Sequence, residues 1–255
     1  MMMQAVRRVG LMQGVSEPLI EEVPVALVYD GVTQAVMMAT PVDLEDFLRG
    51  FALTEGIVPA TEALSDIEIL SRPRGLEVRA WLPAAASGAF RDRRRAMAGP
   101  VGCGLCGIDS LSQALREVPS RPLRPVMTLQ AAAKALDVLR EGQVLQDETR
   151  ACHAAGLWKA GALVLLREDV GRHNAVDKLV GAALAAGHAP EGCAIVMTSR
   201  ISVDLVQKAA MFGAAALVSP SAPTGLAVEE ARRAGVQLIA RARHAPEGRA
   251  DYTAL

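Results

Sequence analysis

With 255 residues, 51% of them hydrophobic and 22% charged, the chain has a folded globular composition and room for one large domain or two small ones. A formal charge of −1 removes the overall basic footprint of a nucleic-acid binder, and no apolar run reaches the roughly 20 residues of a membrane span. The N-terminus MMMQAVRRVG has neither a long apolar stretch nor an evident cleavage site, so a cytoplasmic location is expected.

In chain order, the first apolar segments are 25–29 and 32–39. They flank Asp30-Gly31, a strong hairpin dipeptide. Thr40-Pro41 then predicts a helix with Pro at its first position and Asp43, Glu45 and Asp46 in its first turns, running to about Glu55. A second hairpin is expected from 67–70 and 77–82, turning at 73–75. Residues 84–102, rich in Ala, Gly and Arg, read as a connection, with helices to follow at about 109–117 and 128–141. The Pro-rich stretch 119–125 separates those helices and marks a domain boundary, giving 1–118 and 119–255.

The second half repeats one order three times: apolar run, polar loop, helix, glycine. The runs are 162–166, 194–198 and 215–218. The helices are about 174–186, 203–212 and 226–234, closed by Gly187, Gly213 and Gly235, and a last run at 236–240 completes the series. This is the pattern of βαβ units around a largely parallel sheet covered on both faces. The fold class expected is therefore α/β, with a smaller hairpin-rich α+β part at the N-terminus.

Four cysteines are too few for a disulfide scaffold of this length. Two of them stand in Gly102-Cys103-Gly104-Leu105-Cys106-Gly107. The glycines leave the backbone free, and the helix expected from about Asp109 would place its positive end near Cys106. From Arg72 to Arg95 there are seven Arg against two acidic residues. Positive surroundings lower a thiol pKa and favour the reactive thiolate. Three readings stay open from these residues: half of a zinc site completed by Cys152 and His153, a redox dithiol, or a persulfide-carrying thiol with a second thiol beside it. Cys193 reads as a small buried residue.

In an open α/β sheet, ligands bind beyond the carboxyl ends of the strands, where the next helices present their N-termini. There the loop Arg167–His173 carries Asp169, Arg172 and His173, followed by Asn174, which reads as a helix cap with Asp177 three residues on. Ser199 and Arg200 occupy the end of the next strand, and Ser219, Ser221 and Thr224 that of the one after. Together they suit a phosphate or nucleotide ligand. Neither GxxxxGK[ST] nor GxGxxG occurs. His153-Ala154-Ala155 lacks the Glu of the deaminase H-x-E signature, which argues against deamination.

Taken together, TPVDLEDFLRGFALTEGI (40–57), GCGLCG (102–107), HAAGL (153–157), REDVGRHNAVDKLVG (167–181), LVQKA (205–209) and SPSAPTGLA (219–227) resemble the FdhD family of sulfur carriers. The resemblance implies a sulfurtransferase that takes persulfide sulfur from a cysteine desulfurase. It implies delivery to the molybdenum cofactor, bis-molybdopterin guanine dinucleotide, of the formate dehydrogenase catalytic subunit. It further implies a homodimer, a three-layer cytidine-deaminase-like C-terminal domain, and GDP- or GMP-like ligands that mimic the cofactor. On this reading Cys103 carries the persulfide, Cys106 is its partner thiol, and the segment after the last strand, with Arg241, Arg243 and His244, contacts the cofactor. An Arg at position 241 and a Cys at 152 depart from the family pattern, and Cys152 becomes a candidate for secondary redox chemistry. The alternative is a non-catalytic cofactor-binding chaperone whose CxxC is structural or zinc-bound.

Overall fold

A computed structural model of the chain describes residues 4–10, 16–59, 64–84, 86–88, 117–241 and 250–253. The N-terminal part opens with a hairpin of β1 (Val6–Gly10) and β2 (Ser16–Ile20). Four further strands, β3 (Val23–Tyr29), β4 (Val32–Ala39), β5 (Ser65–Arg72) and β6 (Gly75–Trp81), form a sheet of order β4-β3-β6-β5. Both expected hairpins are present, and β3 and β6 join them by parallel pairing. Asp30 and Gly31 turn the first hairpin with φ of 50° and 73°, the left-handed pair that a two-residue hairpin turn requires.

Helix α1 (Leu44–Thr54) covers one face of this sheet through Phe47, Leu48, Phe51 and Ala52. It begins three residues later than the position of Pro41 predicts. The backbone N–H of Thr40 donates to Asp169 and its carbonyl accepts from Lys178, so the segment before the helix is pinned to the C-terminal half instead of winding into it.

The C-terminal part comprises α2 (Leu129–Glu141), α3 (Val144–Thr149), β7 (His153–Lys159), β8 (Ala162–Asp169), α4 (Arg172–Ala185), β9 (Ala194–Met197), α5 (Val203–Phe212), β10 (Ala216–Ser219), α6 (Gly225–Ala234) and β11 (Gln237–Ala240). Its sheet runs β11-β10-β9-β7-β8. β9, β10 and β11 pair in parallel, and β7 runs antiparallel between β8 and β9, so four of the five strands share one direction. Strand residues alternate between two buried faces. Ile195, Met197, Leu217 and Leu238 meet α4, α5 and α6, whereas Ala194, Val196, Val218 and Ile239 meet α2. With eight aromatic residues in the whole chain, alanine and the branched aliphatics fill most of both cores.

The expected helix at about 109–117 lies outside the described residues except for Glu117. Among the described residues, no helix is long and apolar enough to cross a membrane.

The two parts meet where α1 crosses α4. Gly50 and Gly181 sit at the crossing. A Cβ built on Gly50 would fall 1.7 Å from the carbonyl oxygen of Asp177, and one on Gly181 would fall 1.8 Å from that of Asp46. The helices therefore touch backbone to backbone, closer than the usual helix spacing of about 8–10 Å that intervening side chains impose.

Candidate functional site

β8, β9, β10 and β11 all end at one edge of the sheet, and β7, running the other way, begins there at His153. The polar loops singled out in the sequence are thus brought to one edge. Most of their side chains bond inward.

Asp169 is fully buried. Its carboxylate pairs with Lys178 Nζ at 2.6 Å and accepts from the backbone N–H of Thr40 (3.0 Å) and Gly171 (2.8 Å) and from the Asn174 amide (2.8 Å). Lys178 is also fully buried; it donates to the Thr40 carbonyl at 2.8 Å and lies 6.0 Å from the centre of the Phe47 ring. Asn174 is not the helix cap that its position suggests. It is the third residue of α4, which begins after Gly171, and its amide donates to Asp169 and to the Met38 carbonyl (2.8 Å). A second pillar starts from Asp177, the residue before Lys178. Lys208 Nζ reaches Asp177 (2.9 Å), Glu55 (2.7 Å) and the Thr54 hydroxyl (3.1 Å). Burial pushes the Asp177 carboxyl up, against the pull of Lys208. Buried charges persist only when paired and hydrogen-bonded. These two pillars fix α1, α4 and α5 with respect to one another.

Glu168 holds the fold together as well. Its carboxylate accepts from the backbone N–H groups of Leu145 (2.8 Å) and Gln146 (2.9 Å), tying the first turn of α3 to the sheet. Arg167 binds Asp46 through Nε (2.9 Å) and a terminal nitrogen (2.8 Å). His173 Nε2 contacts the Asp204 carboxylate across the starts of α4 and α5. Burial alone would raise that carboxyl; the His173 bond and charge, with Ser202 and a backbone N–H, bring it far below the usual range.

With α2, α3 and β7 the edge encloses a cavity of about 480 Å³. Its polar walls are Arg140, Gln143, Gln146, Arg150, His153 and Thr198, with Leu136, Leu139, Val170 and Pro220 among the apolar ones. Cys152 also lines it. Among the described residues, no aspartate or glutamate does. His153 Nδ1 lies 3.4 Å from the Thr198 hydroxyl, and burial, then the charges of Arg172 and His173, lower its pKa, so the ring is held neutral.

Cys152 Sγ donates to Glu168 at 3.4 Å. Burial, then the Glu168 charge and that bond, push its thiol up to about 12. Near neutral pH it is an un-ionised donor, which removes the thiolate that a redox role would need. The folded value lies above the unfolded one, so this thiol's contribution to stability is complete below the ordinary thiol range and is lost as pH rises towards 12. Iodoacetamide at neutral pH is expected to leave Cys152 unmodified in the native protein and to label it on unfolding, read by peptide mass spectrometry. Native labelling at the rate of a free thiol would contradict this assignment. Cys193 is fully buried, as its sequence setting suggests.

Of the other sequence-predicted site residues, Ser219 is buried and donates to the Ser199 carbonyl at 2.6 Å while accepting from Ser221 N–H. Ser199, also buried, donates to the Arg200 carbonyl. Thr224 caps α6 by accepting from Ala227 N–H. Arg200 and Arg241 are exposed, and Arg172 stands at the start of α4. Cys103, Cys106, Arg243 and His244 lie outside the described residues. Among the described residues, no group of three or more His, Cys, Asp or Glu is placed to hold a metal ion. His153-Ala154-Ala155 opens strand β7.

Sequence reading missed the buried lysines and the cavity walls at 140–150. The signal available was Lys178 at the head of the apolar run Leu179–Ala183, nine residues after Asp169.

The family model described as FdhD/NarQ matches residues 20–249. A protein of Agrobacterium fabrum named sulfur carrier protein FdhD is 47% identical over 201 residues, 78% of this chain and 74% of that protein. One of the same name from Bordetella parapertussis is 43% identical over 220 residues, 85% of this chain and 80% of its own length. Among solved structures, a chain of Desulfotalea psychrophila described as a formate dehydrogenase accessory protein aligns with a TM-score of 0.63 at 27% identity, covering 93% of this chain and 91% of that one.

Proposed function

The chain belongs to the FdhD/NarQ family, and on that premise we propose that it is a sulfur carrier serving formate dehydrogenase. Its relatives' name supports this reading. So does the cavity at the carboxyl edge, whose lining among the described residues is cationic and neutral and suits an anionic cofactor. In this reading the Cys103 thiolate attacks the outer sulfur of a cysteine desulfurase persulfide. The new S–S bond forms at Cys103 and the desulfurase thiolate leaves. Bis-molybdopterin guanine dinucleotide is the substrate that receives the sulfur. Attack of the Cys106 thiolate on the inner sulfur of the Cys103 persulfide releases sulfide to the metal. It leaves a Cys103–Cys106 disulfide, so the dithiol provides the two electrons and an external thiol reductant restores it.

Arg172, Arg200, Arg241, Arg243 and His244 are the side chains assigned to the cofactor's anionic groups. The buried residues Asp169, Asn174, Ser199 and Ser219, with Ser221 and the cap Thr224, hold the loops that present them. A homodimer, a cytoplasmic location, a deaminase-like layering of the C-terminal part and a division at 118/119 complete the reading.

Intact mass after incubation with a cysteine desulfurase and L-cysteine tests it. A gain of one sulfur atom, lost in Cys103→Ser and removed by a thiol reductant, is the expected result. No gain, together with zinc in the purified protein, would establish the chaperone alternative instead.

A further inference from the structure

Most titratable groups along the carboxyl edge are held in fixed bonds. Asp169 is paired with Lys178, Glu168 holds the backbone of α3, and the Cys152 thiol donates to Glu168. His153 turns Nδ1 to the Thr198 hydroxyl. His173 differs. Its Nε2 contacts the Asp204 carboxylate, whereas Nδ1 makes no hydrogen bond among the described residues and is not enclosed, the side chain being 23% exposed. A carboxylate on Nε2 fixes the proton there, which leaves the lone pair of the neutral ring on Nδ1, the nitrogen open to solvent. Asp204 stands in the first turn of α5, whose positive end favours its charge. The ring is therefore oriented by a permanent anion.

Two buried donors without partners belong to the same helix starts. Arg172, whose Nε is one of them, precedes His173 on α4. The amide nitrogen of Gln207, a residue 3% exposed, is the other, three residues after Asp204 on the same face of α5. Enclosed donors are normally bonded, and leaving them open is costly. Beside a base whose work creates an anion, they mark where that anion is received. The charges of Arg172 and His173 both act on His153, a wall of the carboxyl-edge cavity, so the pair of His173 and Asp204 stands near that volume.

We propose that His173, oriented by Asp204, is the proton acceptor of the sulfur-delivery step, and that Arg172 Nε and the Gln207 amide stabilise the thiolate it creates. The S–H bond of the attacking thiol breaks, its electron pair stays on sulfur and the proton passes to Nδ1. The imidazolium pairs with Asp204 until the proton is lost to water. Nothing is oxidised or reduced in this transfer. The role rests on the sulfur-carrier reading, which supplies the thiol, and adds the base that reading lacks.

The test loads the full chain with labelled sulfur from a cysteine desulfurase and times its single-turnover delivery to formate dehydrogenase holding unsulfurated cofactor. His173→Gln keeps a donor for Asp204 but offers no base. It is expected to load sulfur and to melt as the unaltered chain does, and to deliver about a hundredfold more slowly. In His173→Ala, added imidazole is expected to restore delivery in proportion to its concentration, a response that a purely structural histidine would not give. Nitrogen NMR of the unaltered chain should find the neutral His173 ring protonated on Nε2, and Asp204→Asn should abolish that preference and slow delivery about tenfold. Delivery by His173→Gln at the unaltered rate, no rescue by imidazole, or a neutral ring protonated on Nδ1 overturns the role. The two proposals fail separately. An unaltered chain that takes up no sulfur refutes the carrier reading itself, whereas normal uptake with undiminished delivery by His173→Gln refutes only the histidine's part in it.

Discussion

Replacing Lys178 by Met is expected to lower the unfolding free energy by about 3–5 kcal/mol, because it strands the carboxylate of Asp169 in a site where neither side chain is exposed. The loss is not a matter of packing, since Met is close in size to the stem it replaces. Most of it comes from a buried charge left without its counter-charge. Asp169→Asn in the Lys178→Met background should therefore recover part of the stability. The amide removes the charge and keeps one oxygen, enough for the N–H of either Gly171 or Thr40, which bond to different oxygens of the carboxylate, so the recovery is partial. Urea unfolding of the two single variants and the double variant measures this. A single-variant loss below about 1 kcal/mol, or a double variant worse than the sum of the singles, would mean that the pair does not act as the pillar described.

Gly181→Ala is expected to cost about 2–3 kcal/mol, at the upper end of the usual overpacking range. The obstacle, the Asp46 carbonyl oxygen 1.8 Å from the added Cβ, is backbone and cannot rotate away. The effect should extend beyond stability. Spreading α1 from α4 lengthens the bridge from Glu55 and Thr54 on the α1 side to Lys208 on α5, so the N-terminal sheet loses its registration with the carboxyl edge. Gly225→Ala is the control: nothing lies within 4 Å of its added Cβ, and it should be neutral or slightly stabilising. Equal thermal shifts for the two variants would show that the helix crossing has slack that the geometry denies.

The βαβ series was legible because each unit carries its own punctuation. The glycines at 213 and 235 take left-handed φ of 96° and 73° at the helix ends, as their positions suggest. Strand β7 was not legible as a strand. Its hairpin with β8 turns at Ala160-Gly161, both at positive φ (51° and 83°), and alanine there is not a residue that announces such a turn. Helix α3 escaped for a different reason. Its six residues are too few to show a period, and its first turn is satisfied by Glu168, which is distant in sequence.

At the carboxyl edge of the sheet, sequence reading misjudged which groups face outward. Charge was read as exposure, whereas Asp169, Lys178, Asp177 and Lys208 are buried and pair across elements that only the fold brings together. The cavity walls come from α2, α3 and the start of β7, a region with no motif apart from the Cys-His dipeptide. Gln143 and Arg150 gain meaning only from the volume they enclose.

The proposed passage of sulfur through this chain's own cysteines to a dehydrogenase cofactor can be followed with an isotope. The decisive experiment loads the protein with radioactive sulfur from a cysteine desulfurase, removes the desulfurase and adds formate dehydrogenase holding unsulfurated cofactor. Label is expected to move to the dehydrogenase cofactor in step with the appearance of formate oxidation, and Cys103→Ser is expected to support neither. Activation of the dehydrogenase by Cys103→Ser to the level reached with the unaltered chain would contradict the carrier function.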